Sequence, residues 1–282
     1  MNKKLKMHTS PCQKQHFNIV YMTNESYLFQ TYVSISSLKM NKHHNISYDV
    51  YLLCIEMQDI GDIKKLNDED FCIHSIYIER NIYRYDANAG VVYYKMILHE
   101  LLDVDTVFHI DSDTVVIDDV SSIFDYNLTD YFCGGVKDKI KGLKYFNAGN
   151  VLLNLKKIRE TLYDNEYTMY DYFWQLDKEL RDKKGFLWEQ DVFNKAFKNK
   201  ILYINYGYNF LVNTYSQYKF NDLSRIYGEK VDYKKIKILH FASHPKPWIK
   251  ANLFGEIWKM YAENKVNKEL EQKILRVACR EH

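Results

Sequence analysis

Along the first hundred residues, short apolar runs alternate with polar turns and with stretches of helical spacing. FNIVYM (Phe17–Met22) is the first such run and reads as a buried strand. Thr23, Asn24, Glu25 and Ser26 follow it as turn and cap residues, and YLFQTYVSISSLKM then places its apolar residues at helical intervals. ISYDVYLLC (Ile46–Cys54) and FCIHSIYI (Phe71–Ile78) are the next strands, with a short helix over Ile60–Leu66 between them. A helix over Val91–Leu102 leads into TVFHI (Thr106–Ile110), a fourth strand. This alternation predicts an α/β fold whose mostly parallel sheet is covered by helices on both faces. The stretch after Trp248 reads as two helices, a helical C-terminal tail with mixed charge.

Composition changes this picture little. The 282 residues contain 3 prolines and 10 glycines, with no repeat and no Pro/Gly-rich linker. We therefore expect a flexible extension over 1–16, one continuous domain over 17–250 and a helical segment over 251–282. Apolar residues make up 46% and aromatic residues 16%, enough to build a sizeable core. A net charge of +2 with no one-sign block gives no reason to expect a nucleic-acid partner, and the 25 tyrosines read as core and rim. The five cysteines are scattered and form no C-x-x-C pair, so neither a zinc site nor a disulfide framework is expected. The basic N-terminus lacks an apolar segment behind it, and no apolar run reaches transmembrane length. The expectation is a soluble, cytoplasmic protein.

Candidate chemistry begins with HIDSDTVV (His109–Val116), where Asp111 and Asp113 stand one residue apart. The same D-x-D spacing occurs at Asp68/Asp70 and Asp103/Asp105. Ligands in open α/β sheets bind outside the carboxyl ends of strands. The other two pairs precede strands, and only Asp111/Asp113 follows one. Two acids across a tight turn can converge on a hard cation, Mg²⁺ or Mn²⁺, of the kind that serves phosphate-bearing substrates. A solvated turn with spare charge is the plain alternative. A strand followed by D-x-D-x-[TV] also opens the haloacid-dehalogenase-like phosphatases, but nothing after residue 116 supplies their later acidic metal motif.

Three further stretches add to this. In YFNAGNVLLNL (Tyr145–Leu155), Gly149 inside a strand suggests a bulge or a close backbone approach to a ligand, and Asn147 offers both a donor and an acceptor. In WEQDVFN (Trp188–Asn194) an acid–amide–acid triplet opens a helix, where it also complements the helix dipole. In ILHFASHPKPWI (Ile238–Ile249) a strand ends at His240, with Lys246 between two prolines. Imidazole joins oxygen ligands readily on Mn²⁺, and a lysine beside a diphosphate neutralises charge.

Taken together and in this order, the four stretches resemble the glycosyltransferases of family 8, from about Asn18 to Trp248. The resemblance implies a GT-A type, Rossmann-like nucleotide-binding fold over 17–250, with a mixed, mostly parallel sheet flanked by helices. It also implies a retaining transfer of a hexose from a UDP-sugar, UDP-glucose or UDP-galactose, to a saccharide, glycolipid or glycoprotein acceptor. Residue by residue, it implies Asp111, Asp113 and His240 as ligands of Mn²⁺, with Mg²⁺ as the alternative. Thr23, Asn24, Glu25, Tyr27 and Ser112 fall in the region that holds the nucleotide. Lys95 would touch the donor sugar or phosphate. Asn147, Ala148, Asp138 and Glu189 would line the sugar, Gln190 would sit beneath the anomeric carbon, and Ser243 and Lys246 would meet the diphosphate. Catalytic roles thus fall to Gln190, Asp113 and Lys95. Gln190 is a poor nucleophile, which favours front-face attack by the acceptor over double displacement. Acceptors in this family are often lipid-linked, which allows peripheral contact with the inner face of the membrane. The chain departs from the family pattern at Glu189, Ser243, Asn24, Glu25 and Asn150. A sugar-nucleotide-binding module without catalysis is the remaining alternative.

Overall fold

The computed structural model describes residues 14–79, 90–138, 144–163, 167–184, 188–212, 227–242, 245–250 and 254–266. The first expected strand forms as β1 (Gln15–Thr23), and a 3₁₀ turn at Glu25–Tyr27 opens α1 (Leu28–Asn41). The turn starts at Asn24, whose Oδ1 accepts the Tyr27 backbone N–H at 3.2 Å, the N-cap bond that ends a strand and begins a helix. β2 (Ile46–Ile55) and β3 (Phe71–Ile78) follow, separated by a 3₁₀ helix at Gly61–Leu66. The expected helix over Val91–Leu102 is instead α2 (Gly90–Tyr93), a 3₁₀ turn at Tyr94–Ile97 and α3 (Leu98–Leu101). The turn tightens where Lys95 is directed inward, a common place for a 3₁₀ insertion.

β4 (Thr106–His109) and β5 (Thr114–Val116) flank the D-x-D turn, and β6 (Cys133–Lys137) and β7 (Phe146–Asn154) come next. α4 (Leu155–Glu160), a hairpin of β8 (Leu162–Tyr163) and β9 (Tyr167–Thr168), α5 (Met169–Lys184) and α6 (Glu189–Ala196) then cover the sheet. β10 (Ile201–Ile204), β11 (Phe210–Leu211), β12 (Ile238–His240) and α7 (Gly255–Ala262) complete the described elements. The second helix expected of the tail, and the start of the N-terminal extension, lie outside the described residues.

The main sheet runs β10-β6-β7-β4-β1-β2-β3. Only β7 runs against its neighbours, antiparallel to β4 and β6, so the sheet is mixed and mostly parallel as expected. Side chains alternate across it. Ile19, Tyr21, Val50, Leu52 and Phe108 pack one face beneath α1, α7 and a small second sheet, β11-β12-β5. Val20, Leu53, Val107, Val151 and Leu153 pack the other face with α5 and α6.

The interface between α1 and β5 is not the usual apolar seam. Thr31 donates to Ser112 Oγ at 2.8 Å, Ser34 shares a 2.7 Å hydrogen bond with Thr114, and Ser37 Oγ accepts the Val116 N–H at 2.9 Å. Hydroxyls three apart on the helix thus meet residues two apart along the D-x-D turn and β5. The small side chains allow close approach, and each bond satisfies a buried polar group. The helix fixes where the D-x-D turn sits.

Candidate active site

Asp111 and Asp113 stand just beyond β4 at the carboxyl end of the sheet, in a turn pinned on every side. Asn150 Oδ1 accepts the Asp111 N–H at 3.0 Å, Ser112 Oγ donates to Met22 O at 2.8 Å, and Phe241 N–H donates to Asp113 O at 2.9 Å. β12 pairs antiparallel with β5, setting His240 opposite Thr114. This places His240 Nε2 3.2 Å from Asp113 Oδ1 and 3.6 Å from Asp111 Oδ2. Among the described residues this is the one group of three or more acidic, histidine or cysteine side chains whose ligand atoms all lie within 4.8 Å of one another. The other D-x-D pairs are engaged elsewhere: Asp68 pairs with Lys39, Asp70 with Lys14 and Asp105 with Arg159.

The donor set suits a hard divalent cation: two carboxylates and one imidazole nitrogen. The space fits as well. Gly149 sits where an added Cβ would press on the His240 ring and lie 2.8 Å from Asp111 Oδ2, so the missing side chain keeps room for the ligands. Of the two readings of Gly149 from sequence, a bulge or a close backbone approach to a ligand, the bulge occurs, and the side chains that crowd the glycine are those of His240 and Asp111. The β6–β7 register jumps between Gly135 and Val136, leaving Ala148, Gly149 and Asn150 as extra residues on β7.

Two ammonium groups flank the acids. Lys95, fully buried, donates to Ala148 O at 2.6 Å and to Glu189 Oε1 at 3.2 Å, and lies 3.5 Å from Asp111 Oδ1. Burial alone would lower its pKa, but Asp111 and Glu189 outweigh burial and hold it above the ordinary lysine value. Lys246 donates to Asp113 Oδ2 and to Phe241 O, each at 2.5 Å. Burial pushes Asp111 above the usual carboxylate range against the pull of Lys95 and His240. Asp113 goes the other way, because His240 and Lys246 overcome its burial. The cluster sets three carboxyl groups, Asp111, Asp113 and Glu189, against two lysines, Lys95 and Lys246. It would repel a diphosphate unless a cation came with it.

The remaining expected residues divide into two sets. Ala148 is buried, with its carbonyl on Lys95. Asn147 Nδ2 faces Gln190 Oε1 at 3.4 Å, and Glu189, buried in the first turn of α6, pairs with Lys95. Asp191, in the same turn, accepts the Trp188 N–H at 3.2 Å and the Tyr145 hydroxyl at 2.8 Å, so the triplet both caps the helix and faces the site. Asp138 is buried one residue beyond β6. Tyr27 packs edge-on against Trp248 at 6.0 Å. Burial raises its pKa, with Lys246, Asp113 and Asp111 also acting on the ring, which places it beside the acids. Glu25 is exposed and Asn24 half-buried beyond β1. By contrast, the hydroxyls of Thr23 and Ser112 are both taken up by Thr31, and Ser112 also reaches Met22 O. Ser243 lies outside the described residues.

Three residues of the site carried no role from sequence. His109 hydrogen-bonds to Gly149 O at 2.7 Å and points Nε2 to within 3.7 Å of Asp111 Oδ1. Burial and then Lys95 hold it well below the usual histidine pKa. A lone histidine in the apolar run TVFHI was its signal. Asn150 spans Asp111 N–H and Tyr208 O, the latter at 3.1 Å, which explains a polar residue where the family pattern is apolar. Asn209, within YGYNFLV, is buried beside His240 with no local sequence signal at all.

An α/β fold carrying a two-carboxylate, one-imidazole cluster at the carboxyl ends of its strands sets a candidate cation site where such folds bind ligands. The family model "Glycosyl transferase family 8" matches residues 18–252, and the chain belongs to that family. It is 24% identical over 260 residues to glycosyltransferase GlyF of Streptococcus pneumoniae serotype 4, a match that covers 87% of this chain and 61% of GlyF. The chain thus spans about three fifths of that relative. It is also 24% identical over 290 residues to the lipopolysaccharide 1,2-glucosyltransferase of Escherichia coli K12, covering 92% of this chain and 80% of that protein. Among solved structures, galactosyltransferase LgtC in complex with donor and acceptor sugar analogues superposes with a TM-score of 0.72 at 20% identity, covering 91% of this chain and all of LgtC. The fold is therefore of the GT-A type, and family membership replaces the phosphatase reading. No helix among the described residues is long and apolar enough to cross a membrane.

Proposed function

We propose that this protein is a retaining, cation-dependent glycosyltransferase. It moves glucose or galactose from a UDP-sugar to a saccharide, glycolipid or glycoprotein acceptor. The observation that carries the reading is the convergence of Asp111, Asp113 and His240 between Lys95 and Lys246 at the carboxyl ends of β4 and β12. Asp111, Asp113 and His240 would hold Mn²⁺, or Mg²⁺ in its place. A divalent cation bound there supplies Lewis-acid stabilisation of the charge that builds on departing UDP.

The chain's own residues do the rest. Lys246, at present on Asp113, is within reach of a diphosphate arriving beside that carboxylate and would neutralise it. Lys95 fastens Ala148 O to Glu189, so the two walls that would line the sugar, β7 and α6, stay in register. Asn147 and Gln190 present amide groups to sugar hydroxyls, and Gln190 would underlie the anomeric carbon. An amide there stabilises positive character without forming a bond, in keeping with front-face attack and retention. Asn24, Glu25 and Tyr27 would take the uridine, with Trp248 backing Tyr27.

The test is UDP release from a panel of UDP-sugars without acceptor, in Mn²⁺ and in EDTA. One UDP-sugar hydrolysed only with the cation, and not by Asp113→Ala, supports the reading and names the sugar donor. If no UDP-sugar binds or turns over, catalysis is lost from the reading and a sugar-nucleotide-binding role takes its place.

A further inference from the structure

Asn209 lies between the 3₁₀ turn at Tyr206–Tyr208 and β11, and it is wholly buried. Its carboxamide bridges two site residues that come from different sheets. Asn209 Oδ1 is 2.7 Å from His240 Nδ1, and Asn209 Nδ2 is 2.9 Å from Asn147 Oδ1 and 3.4 Å from Asn147 O. We propose that Asn209 is a positioning residue that fixes the ring tautomer of His240 and couples the cation ligands to the sugar-facing wall.

The orientation of every group follows from one backbone N–H. The Gly149 N–H can only donate, and it donates to Asn147 Oδ1 at 2.9 Å. Asn147 therefore presents its oxygen on that side. An oxygen of Asn209 facing it would repel, so Asn209 turns its nitrogen there and its oxygen to His240. A carboxamide oxygen can only accept, so His240 Nδ1 carries a proton. With Nδ1 so occupied, Nε2 is the nitrogen left to face Asp113 and Asp111. It can hold a proton toward Asp113 Oδ1, at 3.2 Å, and offers its lone pair to a cation that replaces that proton. Free imidazoles favour the opposite tautomer, so this arrangement has to be imposed. A hydrogen bond on the far ring nitrogen is the usual way in which a histidine is aimed at a cation. The same orientation of Asn147 leaves its Nδ2 for Gln190 Oε1 at 3.4 Å. A continuous chain, His240–Asn209–Asn147–Gln190, thus joins the cation site to the residue proposed to lie under the anomeric carbon.

This inference rests on the cation reading of the cluster, but its first test does not. In ¹⁵N-histidine-labelled, cation-free protein at alkaline pH, the nitrogen shifts of His240 report which nitrogen is protonated. The expected result is a proton on Nδ1, whether or not Nε2 also carries one toward Asp113, and an unprotonated Nδ1 overturns the proposal. Asn209→Leu removes both bonds and is expected to lose that tautomer preference and about 10–100-fold in Mn²⁺ affinity by calorimetry. Asn209→Asp keeps the acceptor for Nδ1–H but sets an oxygen against Asn147 Oδ1. It is expected to bind Mn²⁺ at least as tightly as the wild type while kcat for UDP-sugar hydrolysis falls by about tenfold or more.

A structural role alone would move both variants together. Equal loss of Mn²⁺ affinity in Asn209→Asp and Asn209→Leu therefore refutes the positioning role, as does a folded Asn209→Leu that binds Mn²⁺ like the wild type. If Asn209→Leu does not fold, the wild-type spectrum and Asn209→Asp still decide. Wild-type protein that binds no Mn²⁺ sinks the cation reading instead, so the two failures are told apart.

Discussion

Gly149→Ala puts the cation-site geometry to its hardest test, because it adds one methyl and changes no charge. An ideal Cβ at this position would press hardest on His240 Cε1 and would lie 2.8 Å from Asp111 Oδ2. Ordinary packing distances begin near about 3.5 Å, so the ring must retreat by more than about 1 Å and the carboxylate by about 0.7 Å. Gly149 is not among the glycines with positive φ, so alanine meets no backbone penalty, and the β-strand itself gains a little from losing a glycine. The strain therefore falls on the ligands. A shift beyond the roughly 0.5 Å tolerance of a preorganised site predicts at least about tenfold weaker Mn²⁺ binding, or about 1.4 kcal/mol. Overpacking and the strand gain offset one another, so the unfolding midpoint in EDTA should change by only a few degrees. Calorimetric titration with Mn²⁺ and thermal unfolding in EDTA read the two effects separately. Gly134→Ala, whose Cβ would meet the Ile204 side chain at 3.1 Å within the core, serves as the control that touches stability alone. If Gly149→Ala binds Mn²⁺ like the wild type, the ligands are not packed against this backbone and the cradle argument fails.

Further predictions concern stability. Lys95→Met leaves Asp111 and Glu189 facing one another without their shared cation. It should cost about 3–5 kcal/mol in EDTA by denaturant unfolding, with part of the loss recovered when Mn²⁺ is added. Asn150→Leu leaves the Asp111 N–H and the Tyr208 carbonyl without partners and should cost about 1–3 kcal/mol for each, with a parallel loss of Mn²⁺ affinity. Ser37→Ala strands the Val116 N–H and should cost about 1–3 kcal/mol in the same assay. His99 is held down to about 4 by burial, reinforced by Arg159 and opposed by its hydrogen bond to Met96. The unfolded imidazole takes up its proton first, near pH 6.5 or so, so stability should fall as pH drops through the window from there to about 4, and level off below it. The loss is at most about 3 kcal/mol, because Glu100, 3.4 Å from Nε2, would partner a protonated ring. His99→Phe should abolish that part of the slope in acid titrations of the unfolding free energy.

The first four strands were legible because each is an apolar run with a sharp polar end, whereas β5, β6 and β8 to β11 were not read from the sequence. Phe71–Ile78 falls where its run falls, and Thr106–His109 stops one residue short of the run that marks it. The placement of the D-x-D pair followed from strand direction alone, without any knowledge of His240. What the pattern could not show is how short segments pair. β11 and β12 have two and three residues, too few for a period, yet the pairing of β12 between β11 and β5 is what carries His240 to the acids. The helix around Lys95 likewise reads as one amphipathic segment, and only the buried partners of its ammonium group explain the tight turn within it.

The least legible layer is the polar one beneath the ligands. Thr31, Ser34 and Ser37 are helix residues with no apolar signal, and Asn150 and Asn209 are amides set in apolar runs. A pattern reading treats all five as noise, because hydrophobic periodicity records which face is buried and not what a buried polar group bonds to. Burial reverses their weight. In water each hydroxyl or amide has partners everywhere, whereas in the interior each has one or two and is costly to leave unpaired. That restriction lets a single N–H, from Gly149, dictate the orientation of Asn147, Asn209 and His240 in turn. The ligands of a cation site can therefore be read from a motif, but the direction in which they point is set by residues that no motif contains.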